Sequence, residues 1–196
     1  MNIAILTFEG FNELDSFIAS SILNKVQDWN VKITCPSEKV TSMNGVTIDA
    51  QAPLEFANTA DVVLIGSGIY TRDIAQDETI LSRLTLDSTK QLIGAQCSGT
   101  LLMAKLGLLN NLPACTDLIS KPWVIEAGVE ILEQPFIANG NIATSGGCMS
   151  SEYLATWVMV KKSSTNVAKS ILAYVAPVGE GEQHISQCLS AVEPYC

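Results

Sequence analysis

The run Gln91-Leu92-Ile93-Gly94-Ala95-Gln96-Cys97-Ser98-Gly99-Thr100-Leu101-Leu102 decides the fold. It opens as an apolar strand, breaks at one cysteine and continues with apolar residues at helical spacing. A strand that turns abruptly into a helix leaves the turning side chain at its apex, and the first backbone N–H groups of the helix have no partners within it. Small Gly94, Ala95 and Gly99 flank Cys97, as so tight a turn requires. Unpaired donors and the helix dipole favour a thiolate, and such a site can lower a cysteine pKa from about 8.5 to below about 7.5. Cys97 is therefore expected to be a nucleophile at neutral pH. The competing reading is a small buried thiol at the sheet edge, because free cysteine is among the most buried residue types.

Outward from this elbow, strand and helix patterns alternate. Strands are expected over 2–8, 31–35, 61–65 and 91–96, with a short one over 114–116. Helices are expected over 12–27, 77–86, 98–106, 123–127, 149–160 and 166–174, the fifth of these opened by Gly146-Gly147 and the fourth by Ser120-Lys121-Pro122. Asn44-Gly45 and Asn139-Gly140 read as the turns of two hairpins, the first of type I′. Such alternation implies an α/β fold with a mostly parallel sheet covered on both faces and ligands at the carboxyl ends of its strands. Three ends converge there: the segment from Glu9 to Asp15, the Gly66-Ser67-Gly68 turn, and Cys97.

The chain has 196 residues, enough for one domain with a substantial core. Its net charge of −9 argues against nucleic acid or an anionic membrane as partner. No apolar run approaches the roughly 20 residues that span a bilayer. The opening residues read straight into a strand with no basic, apolar leader, so a cytoplasmic location is expected. The six cysteines form no CxxC pair and there is a single histidine, His184, so neither a disulfide framework nor a metal site is expected. His184 reads as a surface or capping residue. Cys188 and Cys196, in a stretch of unclear periodicity, read as surface thiols or as a disulfide with each other.

Four motifs, in order and at matching distances, carry a family resemblance. They are Phe-x-Gly-x-x-x-Leu-Asp over Phe8 to Asp15, with its Gly at position 10, Cys-Ser-Gly-Thr at Cys97, Leu106-Gly107-Leu108-Leu109, and Asn139-Gly140-Asn141-Ile142-Ala143-Thr144-Ser145-Gly146-Gly147. From Asn2 to about Pro177 the chain resembles the ThiJ/PfpI superfamily, most closely the isocyanide hydratase-like proteins. The resemblance implies a flavodoxin-like three-layer sandwich of the class I glutamine amidotransferase-like type, with 178–196 as a C-terminal extension. It implies a homodimer packed through the first helix, around Phe17 to Ser21, and the helix after Gly147. It also implies that Asp15 reaches Cys97; the residues alone allow a solvated carboxylate at a helix start instead. Glu13 is expected to point to solvent.

Relatives with peptidase or glyoxalase activity are expected to pair the cysteine with histidine. Here Ser98 follows Cys97, and Asp117, after Thr116, stands where a family histidine is frequent. Isocyanide hydration needs no histidine: a thiolate adds to the terminal carbon, a carboxylic acid manages the protons, and water resolves the adduct to an N-formamide. The expected enzyme is thus an isocyanide hydratase-like lyase acting on a small molecule without cofactor, with Cys97 and Asp15 catalytic. A non-enzymatic ligand or redox sensor with an oxidisable Cys97 is the alternative. Oxyanion donors are expected from the backbone N–H of Ser98 and from Gly68 or Ile69, with the Ser98 hydroxyl bonded to the sulfur. Tyr70 is placed at the mouth. Gly146 and Gly147 either let backbone approach the pocket near Cys148 or merely permit close packing.

Overall fold

Strand β1 (Asn2–Leu6) divides its side chains between two cores by the alternation of a strand, in which neighbours point to opposite faces. Ile3 and Ile5 join Val62, Leu64 and Leu92 on one face, whereas Ala4 and Leu6 join Val63, Ile65, Ile93 and Ala95 on the other. The computed structural model describes residues 1–196. Seven strands form one sheet in the order β5-β2-β1-β6-β7-β9-β8, where β2 is Asn30–Cys35, β5 Ala52–Pro53, β6 Val62–Ile65, β7 Leu92–Gln96, β8 Phe136–Asn139 and β9 Ile142–Ser145. All neighbours are parallel except β8 against β9.

Helices cover both faces. Helix α1 (Glu13–Leu23), α6 (Ser151–Lys162), α7 (Thr165–Val175) and α8 (Gly181–Val192) bury their apolar stripes in the first core, around fully buried Trp157. The second core lies under α2 (Thr71–Ile74), α3 (Glu78–Leu81), α4 (Gly99–Lys105) and α5 (Lys121–Glu126). The expected sandwich is therefore present, and no helix is long and apolar enough to cross a membrane.

Several elements differ from the sequence reading, each for a local reason. Helix α1 stops at Leu23 because the Asn24 side chain donates to the Ser20 carbonyl (2.8 Å) and the chain reverses at Asp28, whose φ is +63°. The helix expected over 77–86 is one turn long, with Asp77 capping Thr79 N–H, and α2 precedes it. Residues 114–116 make only an isolated bridge from Ala114 to Ile131. In the first hairpin, β3 (Lys39–Thr41) with β4 (Thr47–Asp49), Ser42 pairs with Val46 and only Gly45 has positive φ; this is a three-residue loop with a glycine bulge, not a type I′ turn. Residues 178–196, expected as an extension, form α8 and a final turn that pack on the first core, with Cys188 and Val192 fully buried.

Candidate active site

Three adjacent strands, β1, β6 and β7, deliver the site at their carboxyl ends. Ile65 and Ala95 lie side by side in the sheet, so Ser67 and Cys97, each two residues on, leave it together. The sheet reverses its order of growth between β1 and β6, the position where open α/β sheets hold ligands.

Cys97 has φ of +48°, in the left-handed region that non-glycine residues avoid. Such a conformation costs on the order of 1–3 kcal/mol and persists only when its surroundings fix it. They do so here from three sides. Cys97 N–H donates to Ser145 O (2.9 Å), while Cys97 O accepts from Thr116 Oγ1 (2.7 Å) and from Thr100 N–H (3.2 Å). A side chain on Gly99 would meet the carbonyls of Ile65 and Gly66 at 2.6 and 2.7 Å, so glycine there lets α4 start against β6. The strand-to-helix elbow expected from the sequence is present.

Asp15 lies on the buried stripe of α1 with Ser16, Ala19, Ile22 and Leu23. The helix is capped by Asn12, whose side-chain oxygen accepts from Leu14 N–H (3.1 Å). One Asp15 carboxylate oxygen accepts a short hydrogen bond from the Ser67 hydroxyl, and the other, Oδ1, is buried without a partner. A carboxylate oxygen of Asp15 and the sulfurs of Cys97 and Cys148 lie within 4.8 Å of one another. Burial pushes the Asp15 carboxyl up to about 6, against the opposing pull of Ser67. Asp15 thus faces the elbow.

The thiolate expected at Cys97 is not what its surroundings favour at rest. Only 4 % of Cys97 is exposed. Burial, then the charges of Asp15, Cys148 and Asp117, push its thiol well above the ordinary range, with only the Gly147 N–H opposing. One seven-residue helix does not outweigh them. The two groups share one site, so the proton left on Asp15 or Cys97 belongs to the pair.

The oxyanion donors need correction as well. Gly68 N–H is held by the hydroxyls of Thr71 (3.1 Å) and Ser98 (3.2 Å), and Ile69 N–H donates to Gly10 O (2.9 Å). Ser98 Oγ is spent on Thr71 Oγ1 (2.8 Å) rather than on the sulfur. The Ser98 N–H alone of the expected donors makes no bond within the chain. Gly147, with φ of +91°, brings its own N–H to Cys97. A side chain on Gly146 would strike Thr116 O at 2.3 Å, so that glycine serves close packing.

Two further positions sit differently from expectation. Glu13 accepts from Ser42 Oγ and from Asn44 Nδ2 (2.8 Å), tying α1 to the first hairpin rather than facing water. Tyr70 lies over Gly10 and does not line the cleft.

Sequence reasoning missed the residues that organise this arrangement. Gln96 Nε2 donates to the carbonyls of Gly147 (2.9 Å) and Cys148 (3.0 Å), and Ser151 Oγ donates to Gln96 Oε1 (2.8 Å). Asn12 Nδ2 donates to Cys148 Sγ (3.1 Å). A glutamine at the end of an otherwise apolar strand was the available signal. The cleft over Cys97 has a volume of about 350 Å³, within the range of small-molecule pockets. Met43, Ile69, Ile119 and Trp123 supply its apolar lining and Asp117 its rim. Asp117 Oδ1 accepts from the N–H groups of Ile119 and Ser120, both at 2.9 Å, and so shapes the loop before α5. Thr116, Gly146 and Gly147 border a neighbouring cavity on the far side of that loop.

Comparisons with known proteins agree with this architecture. A comparison with curated protein sequences gave no significant match. Among solved structures, Schizosaccharomyces pombe DJ-1 superposes with a TM-score of 0.77 at 15 % identity, covering 90 % of this chain and 100 % of that one. A ThiJ/PfpI family protein from Pseudomonas syringae gives 0.79 at 17 %, covering 98 % and 87 %. Toxoplasma gondii DJ-1, described as oxidized, gives 0.75 at 18 %, covering 89 % and 97 %. At these identities the likeness speaks for the fold. The DJ-1/PfpI family model matches residues 1–161. With the elbow cysteine and a facing carboxyl already in place, this match settles the affiliation: the chain belongs to the DJ-1/PfpI family.

Proposed function

We propose that the protein hydrates small, uncharged isocyanides to N-formamides with Cys97 as nucleophile and Asp15 as base and then acid. The observation that carries this reading is the buried Asp15 carboxyl, one oxygen of which has no hydrogen-bond partner, with a carboxylate oxygen within 4.8 Å of the Cys97 sulfur. No histidine is near: the single one, His184, pairs with Glu152 on α6. With a pKa of about 6, Asp15 is mostly ionised at neutral pH and can take the Cys97 proton as the sulfur attacks. A sulfur–carbon bond forms at the terminal carbon, and the same proton passes from Asp15 to that carbon, giving a thioimidate. Asp15 then takes a proton from water as its oxygen adds to the carbon. Asp15 passes that proton to nitrogen; as the carbon–sulfur bond breaks, the new hydroxyl becomes the formyl carbonyl and its proton returns to sulfur, restoring the thiol. Apolar Met43, Ile69, Ile119 and Trp123 suit a substrate without charge.

The test is incubation with an aryl isocyanide and detection of the N-formamide. Product above the spontaneous rate with the native chain, and none with Cys97→Ala, is expected. A native chain no faster than buffer overturns the assignment.

A second reading rests on Cys148, whose sulfur shares the 4.8 Å cluster with Cys97. Peroxide would convert the Cys97 thiol to a sulfenic acid with release of water, and the Cys148 thiol would displace a second water to close a disulfide. A redox sensor of this kind predicts a product two hydrogens lighter with the two cysteines joined. Two oxygens added at Cys97 alone would count against Cys148 as its partner.

A further inference from the structure

Away from the Cys97 cleft, a second set of ligand-type side chains converges. His184 and Cys188 stand four residues apart on α8 and share one face of it, and Glu152 reaches them from the first turn of α6. Glu152 Oε2 lies 3.3 Å from His184 Nε2, and Cys188 Sγ lies 4.0 Å from the same nitrogen. The three ligand atoms are all within 4.8 Å of one another. Cys188 is fully buried, whereas the side chains of Glu152 and His184 are 14 % and 18 % exposed, which leaves a path from solvent.

Two kinds of chemistry use this residue set, and the geometry separates them. In a nucleophilic relay the imidazole takes the thiol proton at one nitrogen and is held by the carboxylate at the other. Here the carboxylate and the sulfur both address Nε2, an arrangement of donors around a point. Around a tetrahedral Zn²⁺, with bonds of about 2.0–2.3 Å, neighbouring donor atoms stand roughly 3.3–3.8 Å apart. The distances of 3.3 and 4.0 Å need little adjustment to meet that. No lysine or arginine pairs with Glu152; the nitrogen beside it is His184 Nε2.

We propose that Glu152, His184 and Cys188 bind one borderline-soft divalent cation of the Zn²⁺ type, with the fourth position open to water. On binding, the Cys188 S–H bond breaks, a metal–sulfur bond forms and the proton leaves to solvent; no electron changes hands. The ion would tie α8 to α6, whose preceding turn carries Cys148. It would act at a distance from the Cys97 chemistry and independently of it.

Cobalt(II) titration of the full chain tests this. The expected result is one equivalent bound, with a thiolate-to-metal absorption band and the intense visible bands of four-coordinate cobalt, displaced by Zn²⁺. Cys188→Ser should abolish the thiolate band, and a chain with both Cys97→Ser and Cys148→Ser should keep it. His184→Asn and Glu152→Gln alter partly exposed positions and should each weaken binding tenfold or more, which carries the test if Cys188→Ser fails to fold. Zn²⁺ should raise the Tm of the native chain by a few degrees and leave that of His184→Asn unchanged. Absence of the band overturns the proposal. So does a band that survives Cys188→Ser and vanishes with the Cys97 and Cys148 substitutions, because the metal would then sit in the active-site cleft.

Discussion

Asp15 shows how one residue can be costly to the fold and central to the proposed chemistry. Its carboxyl titrates near 6 in the folded chain against the ordinary 3.8, chiefly because ionisation occurs out of water. The folded state therefore holds the proton more tightly than the unfolded one. The favourable contribution is complete below about pH 4 and is lost as pH rises through about 6. A difference of about two pKa units corresponds to about 3 kcal/mol. Asp15→Asn cannot ionise, so it should be more stable than the native chain at pH 8, by on the order of 2–3 kcal/mol, and show little gain at pH 4. Denaturant unfolding at the two pH values measures this; an equal effect at both would mean that ionisation is not the cause. The same variant should lose roughly 10²–10⁴-fold in isocyanide hydration, the usual span for general acid–base catalysis. The native rate should rise with pH through about 6 as Asp15 becomes the base, and that inflection should be missing from the Asn variant.

At the scale of elements, the site depends on how closely β7 and α4 approach β6. Gly99→Ala would push a methyl group into the backbone carbonyls of Ile65 and Gly66, which cannot rotate away as a side chain could. The strain should cost about 1–3 kcal/mol and shift Cys97 relative to Asp15. The expected outcome is a lower Tm together with a fall in rate larger than unfolding alone explains; full activity in the folded fraction would show the elbow to be more tolerant. The elbow was legible in the sequence because a strand, a cysteine and small residues occur in one continuous run. Asp15 was legible only through the family motif, since residue spacing does not say which helix face meets another strand. The closed oxyanion turn was not legible: it depends on hydroxyls of Thr71 and Ser98, and on Gly10, meeting across three strand ends. Helix α8 carried its own signal in Ile185, Cys188, Leu189 and Val192, spaced as one helical face. That face is hidden when cysteine is read as a reactive thiol rather than an apolar side chain. The short helices α2 and α3, with the turns that join them, are set by local caps and packing, which periodicity does not detect.

For the whole molecule, what remains is the apolar surface that the single chain leaves uncovered. The family resemblance implies a dimer interface on α1 and α6; in the single chain these helices pack on each other, and their buried residues belong to the first core. Ile18 also packs against that core, so a charge there would test the fold rather than an interface. Besides Ile125, Tyr174 and Val178, which lie elsewhere, exposed apolar residues border the cleft: Leu14 in the first turn of α1 at 47 %, Met43 at 44 %, Ile69 at 53 % and Met149, just before α6, at 64 %. Apolar surface gathered in one region is what a monomer seldom leaves open. A second copy of the chain is the expected occupant, meeting the first across a twofold axis. Light scattering should then give a mass near twice 21.0 kDa, and a mass of 21.0 kDa at micromolar concentration would exclude this assembly. Leu14→Glu should halve the mass without lowering the helix content, because that side chain is turned away from the core. If the second copy also roofs the cleft, the monomer made by Leu14→Glu should lose activity in step with its mass. A fully active monomer would show that Asp15 and Cys97 are held by one chain alone.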